Sequence, residues 1–377
     1  MLTACCLLAL CCSPGAISLL LRSRRVDGGN DRPILGTDLS EDKCSVKFCH
    51  VVQADELTHW NPAIVLPELH NRLYGWHNCI TYKKALQYSV LVGIVGILAQ
   101  ETDFESFQKF GSSYIAASYV KFIESAGARV VPIRLNRSDE EYNKIFYSIN
   151  GILYPGGGVD LKTSEFSRVA KIFYRKALEA NERGDYFPVW GTCLGHQLLS
   201  YLTCGENLLT WTNTDNFAFP LNFTKDAKGT KMFADFPDDL LQEMASDPVT
   251  SNFHFWSLSV QNFTNNEKLR SFYKVLTTNV HGNIEFISTM EAYAYPVYGV
   301  QWHPEKNPFE WNNRTGIPHS RSAMRVTYYI ADFLVNEAQK SNHQFSSKKE
   351  EAEALIYNFN PVFTGRFSSF DQAYFFD

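Results

Sequence analysis

The sequence has no long basic run, and its formal net charge is −5. Nucleic acid is therefore not an expected partner, since phosphate backbones are held by clustered Lys and Arg. No internal repeat is visible, so no solenoid is expected. Nine cysteines suggest a disulfide scaffold until they are placed. Cys5, Cys6, Cys11 and Cys12 lie in an apolar N-terminal run, Cys44, Cys49 and Cys79 lie in an irregular stretch, and only Cys193 and Cys204 remain in the body of the chain. That is no disulfide framework. No CxxC pair is present, and Cys44, Cys49, His50, His59, His70, His77 and Cys79 are irregularly spaced, so no metal site is expected.

What is present is a chain of 377 residues, 45% hydrophobic and 20% charged, the composition of a globular protein with a large core. Leu2 to Cys12 is apolar apart from Thr3 and is followed by Ser13-Pro14-Gly15-Ala16. Residues 1–18 read as a secretory signal cut between Ser13 and Ser18; a charged n-region is missing and Arg22, Arg24 and Arg25 follow, which keeps a signal anchor as the alternative. No membrane span is expected after cleavage; the next apolar run, Tyr88 to Ala99, is too short for one and fits a buried strand. Sequons at Asn136, Asn222, Asn262 and Asn313 agree with a glycosylated, lumenal or secreted protein. Residues 19–91 form an N-terminal segment with little pattern.

From Tyr88 the pattern sharpens. A strand over Val92 to Ala99 is followed by a predicted helix over Tyr114 to Ala126, stopped at Gly127, and a strand over Arg129 to Ile133. Ser138-Asp139-Glu140-Glu141 reads as a capping box opening a helix. Gly151 to Tyr154 is a strand, Ser164 to Asn181 a helix, and Phe187 to Trp190 a strand. This alternation predicts an α/β fold: a doubly wound, mostly parallel central sheet flanked by helices. The stretch from Leu208 to Tyr298 is richer in strands, with His254 to Val260 and Glu285 to Met290 the clearest. Ser322 to Gln339 is a terminal helix, and the aromatic tail is expected to pack back on the domain.

Candidate chemistry centres on Gly191-Thr192-Cys193-Leu194-Gly195. A cysteine between small residues, where a strand turns into a helix, has the composition of a nucleophile elbow. The helix N-terminus behind it favours the thiolate. Alone, the pentapeptide is equally the mark of a buried structural cysteine between turn glycines. Two further stretches favour catalysis: Tyr154-Pro155-Gly156-Gly157-Gly158 after a strand, and a strand from Val297 that ends in His303-Pro304-Glu305. Acyl transfer needs a nucleophile, a base that becomes an acid, and donors for an oxyanion. Cys193, His303 and the backbone N–H of Leu194 with Gly157 and Gly158 fill those roles. Glu305 orients the imidazole, and Gly156 is expected to touch substrate. Cys204 reads as a helix-end core residue.

With Tyr114 to Val120, Phe187 to Gly195, Asn252-Phe253-His254, Trp256 to Ser259 and Phe286 to Lys306, this pattern resembles the class I glutamine amidotransferase superfamily and, within it, the γ-glutamyl hydrolases. The similarity runs from Val92 to Asp377 (residues 92–377). It implies hydrolysis of γ-glutamyl bonds in folylpoly-γ-glutamates, in lysosomes and outside cells, by a homodimer without cofactor. It also implies His254 as an active-site histidine that binds substrate. Two departures stand out. Gly195-His196-Gln197 reads like a glutaminase subunit, which keeps an ammonia-supplying glutaminase as the alternative. Gly36 to about Val92 has no family counterpart and is expected to add nothing to the core.

Overall fold

A computed structural model describes residues 10–13, 16–19, 93–102 and 105–377. The chain divides into two units, Met1–Ser89 and Val90–Asp377. Of the first, only an antiparallel pair of strands is described, Leu10–Ser13 with Ala16–Leu19. The expected block from Gly36 to Val92, with its cysteines and histidines, lies outside the described residues, as does most of the signal. Among the described residues no helix is long and apolar enough to cross a membrane.

The second unit is built on an eight-stranded sheet. Its strands are β1 (Ile94–Leu98), β2 (Arg129–Ile133), β3 (Gly151–Tyr154), β4 (Val189–Thr192), β5 (Asn222–Phe223), β6 (Tyr273–His281), β7 (Ile284–Ala292) and β8 (Val297–Val300). Their order is β5-β6-β7-β8-β4-β3-β1-β2. From β8 to β2 all neighbours are parallel, and from β5 to β8 all are antiparallel. The parallel strands β1, β3, β4 and β8 are buried along their whole length, because helices cover both faces and leave no wet side. The strand-rich segment extends this same sheet, with two-stranded satellites such as Leu209–Trp211 against Trp256–Leu258.

The helices are α1 (Ala117–Ser125), α2 (Asp139–Phe146), α3 (Glu165–Glu182), α4 (Leu194–Cys204) and α5 (Arg321–Ala338). α1 packs with α5, while α3 lies between α2 and α4 and packs with each. Right-handed crossovers put α1 on one face on the way from β1 to β2, and the other three on the opposite face as the chain steps back through β3 and β4. The direction of winding changes between β1 and β3, and ligand crevices open at the carboxyl ends of such strands. Ser138 caps α2 in a complete capping box: its hydroxyl accepts from Glu141 N–H, and Glu141 accepts from Ser138 N–H. α4 ends at Cys204, a buried free thiol, with Gly205 at φ 81° closing it.

One predicted helix begins too early. Tyr114, Ile115 and Ala116 belong to a strand, Ser113–Ala116, and the helix starts only at Ala117. The strand is claimed by a distant partner, Gln372–Phe376 in the tail, which pairs antiparallel with it. Phe107 seals the pairing, with its ring edge-on to Tyr114 at 5.0 Å and to Phe375 at 5.1 Å. The expected strand from His254 to Val260 shrinks to Trp256–Leu258, since His254 and its neighbours form the site instead.

The elbow depends on close backbone approach. A Cβ on Gly195 would lie 2.1 Å from the carbonyl oxygen of Tyr154, and one on Gly191 would lie 2.6 Å from the backbone of Gly195. Neither obstacle is a side chain that could swing aside. Gly195→Ala is therefore expected to push α4 off β3 and cost about 1–3 kcal/mol. Thermal unfolding beside Gly229→Ala, where a Cβ meets nothing within 4 Å, measures it. Equal midpoints for the two variants would rule out the tight contact.

Candidate active site

Three strand ends converge. In register, Val300 of β8 lies beside Thr192 of β4, and Gly191 of β4 beside Tyr154 of β3. The residues just past these ends are His303, Cys193 and the Gly156 loop. Cys193 is the N-cap of α4, with φ 51° and ψ −104°, a conformation that non-glycine residues avoid. It is held there by its own N–H, which donates to Val300 at 2.8 Å, and by its carbonyl, which accepts from Gln197 at 3.0 Å. His303 is tied down by its N–H donating to Ser251 at 2.8 Å.

The imidazole of His303 donates from Nδ1 to Glu305 Oε1 at 2.6 Å, and its other nitrogen is left for Cys193. All three side chains are buried. Burial alone would lower the His303 pKa. The Glu305 carboxylate and the Cys193 sulfur outweigh it and lift the value to about 9. Burial alone would raise Glu305, but the His303 charge and hydrogen bond hold it below the usual range. Linkage follows in sign. A histidine whose pKa rises from 6.5 to about 9 on folding contributes stability that is complete below pH 6.5 and lost as pH rises through 9. The denaturation midpoint is expected to fall between pH 6.5 and 9, and Glu305→Gln to flatten that fall. A midpoint that rises over this window would overturn the ion pair.

Tyr119, buried on α1, belongs to this centre. Its hydroxyl accepts from Gly156 N–H at 2.7 Å and lies 3.3 Å from His303 Nδ1. Burial and the Glu305 charge push its pKa well above 10, so the phenol keeps its proton. Gln100, just past β1, donates from Nε2 to the Gly156 carbonyl at 2.7 Å. Its position at the end of a central strand is the signal that could have found it. Next to it, Glu101 accepts from the first N–H of α3, at 2.5 Å.

These contacts correct the expectation for Gly156. Both its N–H and its carbonyl are taken, so it anchors Tyr119 and Gln100 and has no free N–H for substrate. Its lack of a Cβ is still required, because one would lie 2.6 Å from His303 Cε1. The N–H groups of Gly157, Gly158 and Leu194 have no acceptor among the described residues. Leu194 follows the nucleophile at the start of α4. Gly157 is pinned against Gln100, whereas a Cβ on Gly158 would meet nothing within 4 Å.

His254 lies in the adjoining segment. Asn252 Oδ1 accepts from its Nε2 at 3.1 Å, and Nδ1 faces the hydroxyls of Thr214 at 2.8 Å and Ser257 at 3.0 Å. Both nitrogens are held by these partners, which fixes the ring in place. Burial, then the charge of nearby His303, lowers its pKa to about 3, which keeps it neutral. Gln197, the glutaminase-like residue, donates to the Trp256 carbonyl at 2.7 Å and ties α4 to the same segment. Of the sequons, Asn136, Asn222 and Asn313 are exposed. Asn262 is half-buried, and its Nδ2 donates to Leu208 O at 2.8 Å and Thr210 Oγ1 at 3.1 Å. Among the described residues no His, Cys, Asp and Glu group could hold a metal ion.

The family model for peptidase C26 matches residues 91–305, which carry Cys193, His303 and Glu305. The γ-glutamyl hydrolase of Homo sapiens is 57% identical over 284 residues, covering 75% of this chain and 89% of the human one. The chain belongs to the γ-glutamyl hydrolase family, peptidase C26. γ-Glutamyl hydrolase B of Dictyostelium discoideum is 42% identical over 288 residues, covering 75% of this chain and 83% of its own. Among solved structures, a glutamine amidotransferase from Thermotoga maritima is similar with a TM-score of 0.39 and 13% identity, covering 66% of this chain and 98% of its own. As a family member the chain is a cysteine-type hydrolase, and Cys193 is the cysteine its geometry prepares.

Proposed function

We propose that this protein hydrolyses γ-glutamyl peptide bonds of folylpoly-γ-glutamates through a thioester on Cys193. The observation that carries the reading is the buried Cys193–His303–Glu305 line, with unpaired N–H groups on Leu194, which follows the cysteine, and on Gly157, which follows the Gly156 packed against it. His303 takes the thiol proton, and the sulfur attacks the γ-carbonyl carbon. Leu194 and Gly157 donate to the oxyanion as the carbonyl opens. His303 then returns the proton to the amine nitrogen as the C–N bond breaks, leaving a γ-glutamyl thioester. It next takes a proton from water, which attacks the thioester; the C–S bond breaks and the thiol is restored. Glu305 stays ionised throughout and balances the imidazolium.

Incubation with a folate pentaglutamate, read by mass spectrometry, tests the reading. Shorter chains are the expected product, formed far faster than ammonia from free glutamine. Ammonia release from glutamine with the pentaglutamate left intact would return the protein to the glutaminase class. We also read it as a secreted or lysosomal homodimeric glycoprotein, supported by the apolar N-terminus and the exposed Asn136, Asn222 and Asn313. Enzymatic deglycosylation and the mass in solution check both points.

A further inference from the structure

A γ-linked glutamyl chain is a polyanion. Each linkage leaves its α-carboxylate free, and such a group is ionised above about pH 4. A protein of net charge −5 must gather positive charge locally to hold it. Arg314 and Arg366 do so, lining a cleft of about 410 Å³ with Ser106, Ser368, Ser369 and the rings of Phe367 and Phe370. None of the described residues lining it is acidic. Two guanidinium groups and three hydroxyls are all donors suited to carboxylate oxygens.

The cleft is one aromatic side chain away from the reacting imidazole. The Phe253 ring stands 6.2 Å from His303, edge to face, and the Arg314 guanidinium lies 5.5 Å from the same ring. Lys306 Nζ sits between Phe253 at 5.2 Å and Phe370 at 4.6 Å, and Phe370 is a wall of the cleft. The carboxylate facing Arg314 is Asp215, at 3.7 Å with both side chains well exposed. A long, wet ion pair of that kind contributes little, so a substrate carboxylate can replace it at small cost.

We propose that the Arg314–Arg366 cleft binds α-carboxylates of the γ-glutamyl chain next to the scissile bond and sets the preference for chain length. This rests on the γ-glutamyl hydrolase reading of the site. Both arginines are exposed, so replacing them leaves the core intact.

Two measurements on the full chain test the cleft. The first compares Arg314→Gln, Arg366→Gln and the double variant on folate pentaglutamate and on the same chain with its α-carboxylates amidated. Loss of one charged hydrogen-bond partner is expected to raise KM for the pentaglutamate about tenfold, with the loss on KM and not kcat. The amidated chain is expected to show no such difference. The second measures binding of free tetra-γ-glutamate to the Cys193→Ala chain by calorimetry, which reads the cleft without turnover. Affinity is expected to fall about tenfold with Arg366→Gln and to weaken with added salt. Unchanged KM and affinity in the double variant would overturn the cleft. An equal loss on the amidated chain would do so too, since the arginines would then act by propping Phe253. Arginine-dependent binding of tetra-γ-glutamate by a protein that cleaves no γ-linkage would uphold the cleft and reject the hydrolase reading.

Discussion

Cys193→Ala is expected to remove hydrolysis of γ-glutamyl bonds, with a loss on the order of 10⁵-fold or more in kcat. No other thiol of the second unit can substitute. Cys204, the one other cysteine there, is the last residue of α4, where its sulfur faces the Glu206 carbonyl at 3.1 Å. Burial is the main cause that raises its pKa and keeps it a thiol. The sulfur of Cys193 is needed for covalent chemistry, whereas its backbone is held by hydrogen bonds to Val300 and Gln197 that alanine retains. The variant should therefore unfold within a degree or two of the parent and still bind substrate. Turnover by the alanine variant would end the cysteine mechanism. A collapsed melting temperature would instead show that the sulfur is a packing element.

His303→Asn removes both proton transfers at once and is expected to cost about 10⁴-fold or more in kcat. Its partner is less demanding. Glu305→Gln leaves an acceptor for Nδ1 but no charge to balance the imidazolium, so a smaller loss of about 10²- to 10³-fold is expected. The order of the two effects is the test, measured as kcat on one substrate at one pH. If Glu305→Gln proved the more damaging, the carboxylate would be moving a proton, and the two roles would be reversed.

Several features of this site are legible in the linear sequence because they are local. An elbow is a short run with small residues around a nucleophile, and a strand that ends in His-Pro-Glu declares itself over a few positions. The same holds for the helix caps: Ser138 and Ser164 act on N–H groups three residues away. Tyr119 is different. Its spacing on α1 is that of a core residue, and it is buried like one. Its role appears only because α1 is packed so that its hydroxyl reaches Gly156 and His303, 37 and 184 residues away in the chain. His254 is different again: the resemblance implies a substrate contact, and only the tertiary structure shows that Thr214, Asn252 and Ser257 hold both of its nitrogens.

By itself the sequence determined the alternation of strand and helix, hence a mostly parallel sheet, and singled out Cys193, His303 and Glu305 as candidate nucleophile, base and orienting carboxylate. Periodicity, caps and turn glycines act over a few residues, and such short-range rules survive in the linear order. Only the tertiary structure decided that Ser113–Ala116 is a strand, since its partner lies at the far end of the chain. It also decided which glycine N–H groups remain free for an oxyanion, and that Arg314 and Arg366 share a cleft beside Phe253. Each of these turns on which distant groups meet. Burial then makes every unmet hydrogen bond costly, so the packed fold, not local propensity, assigns the partners.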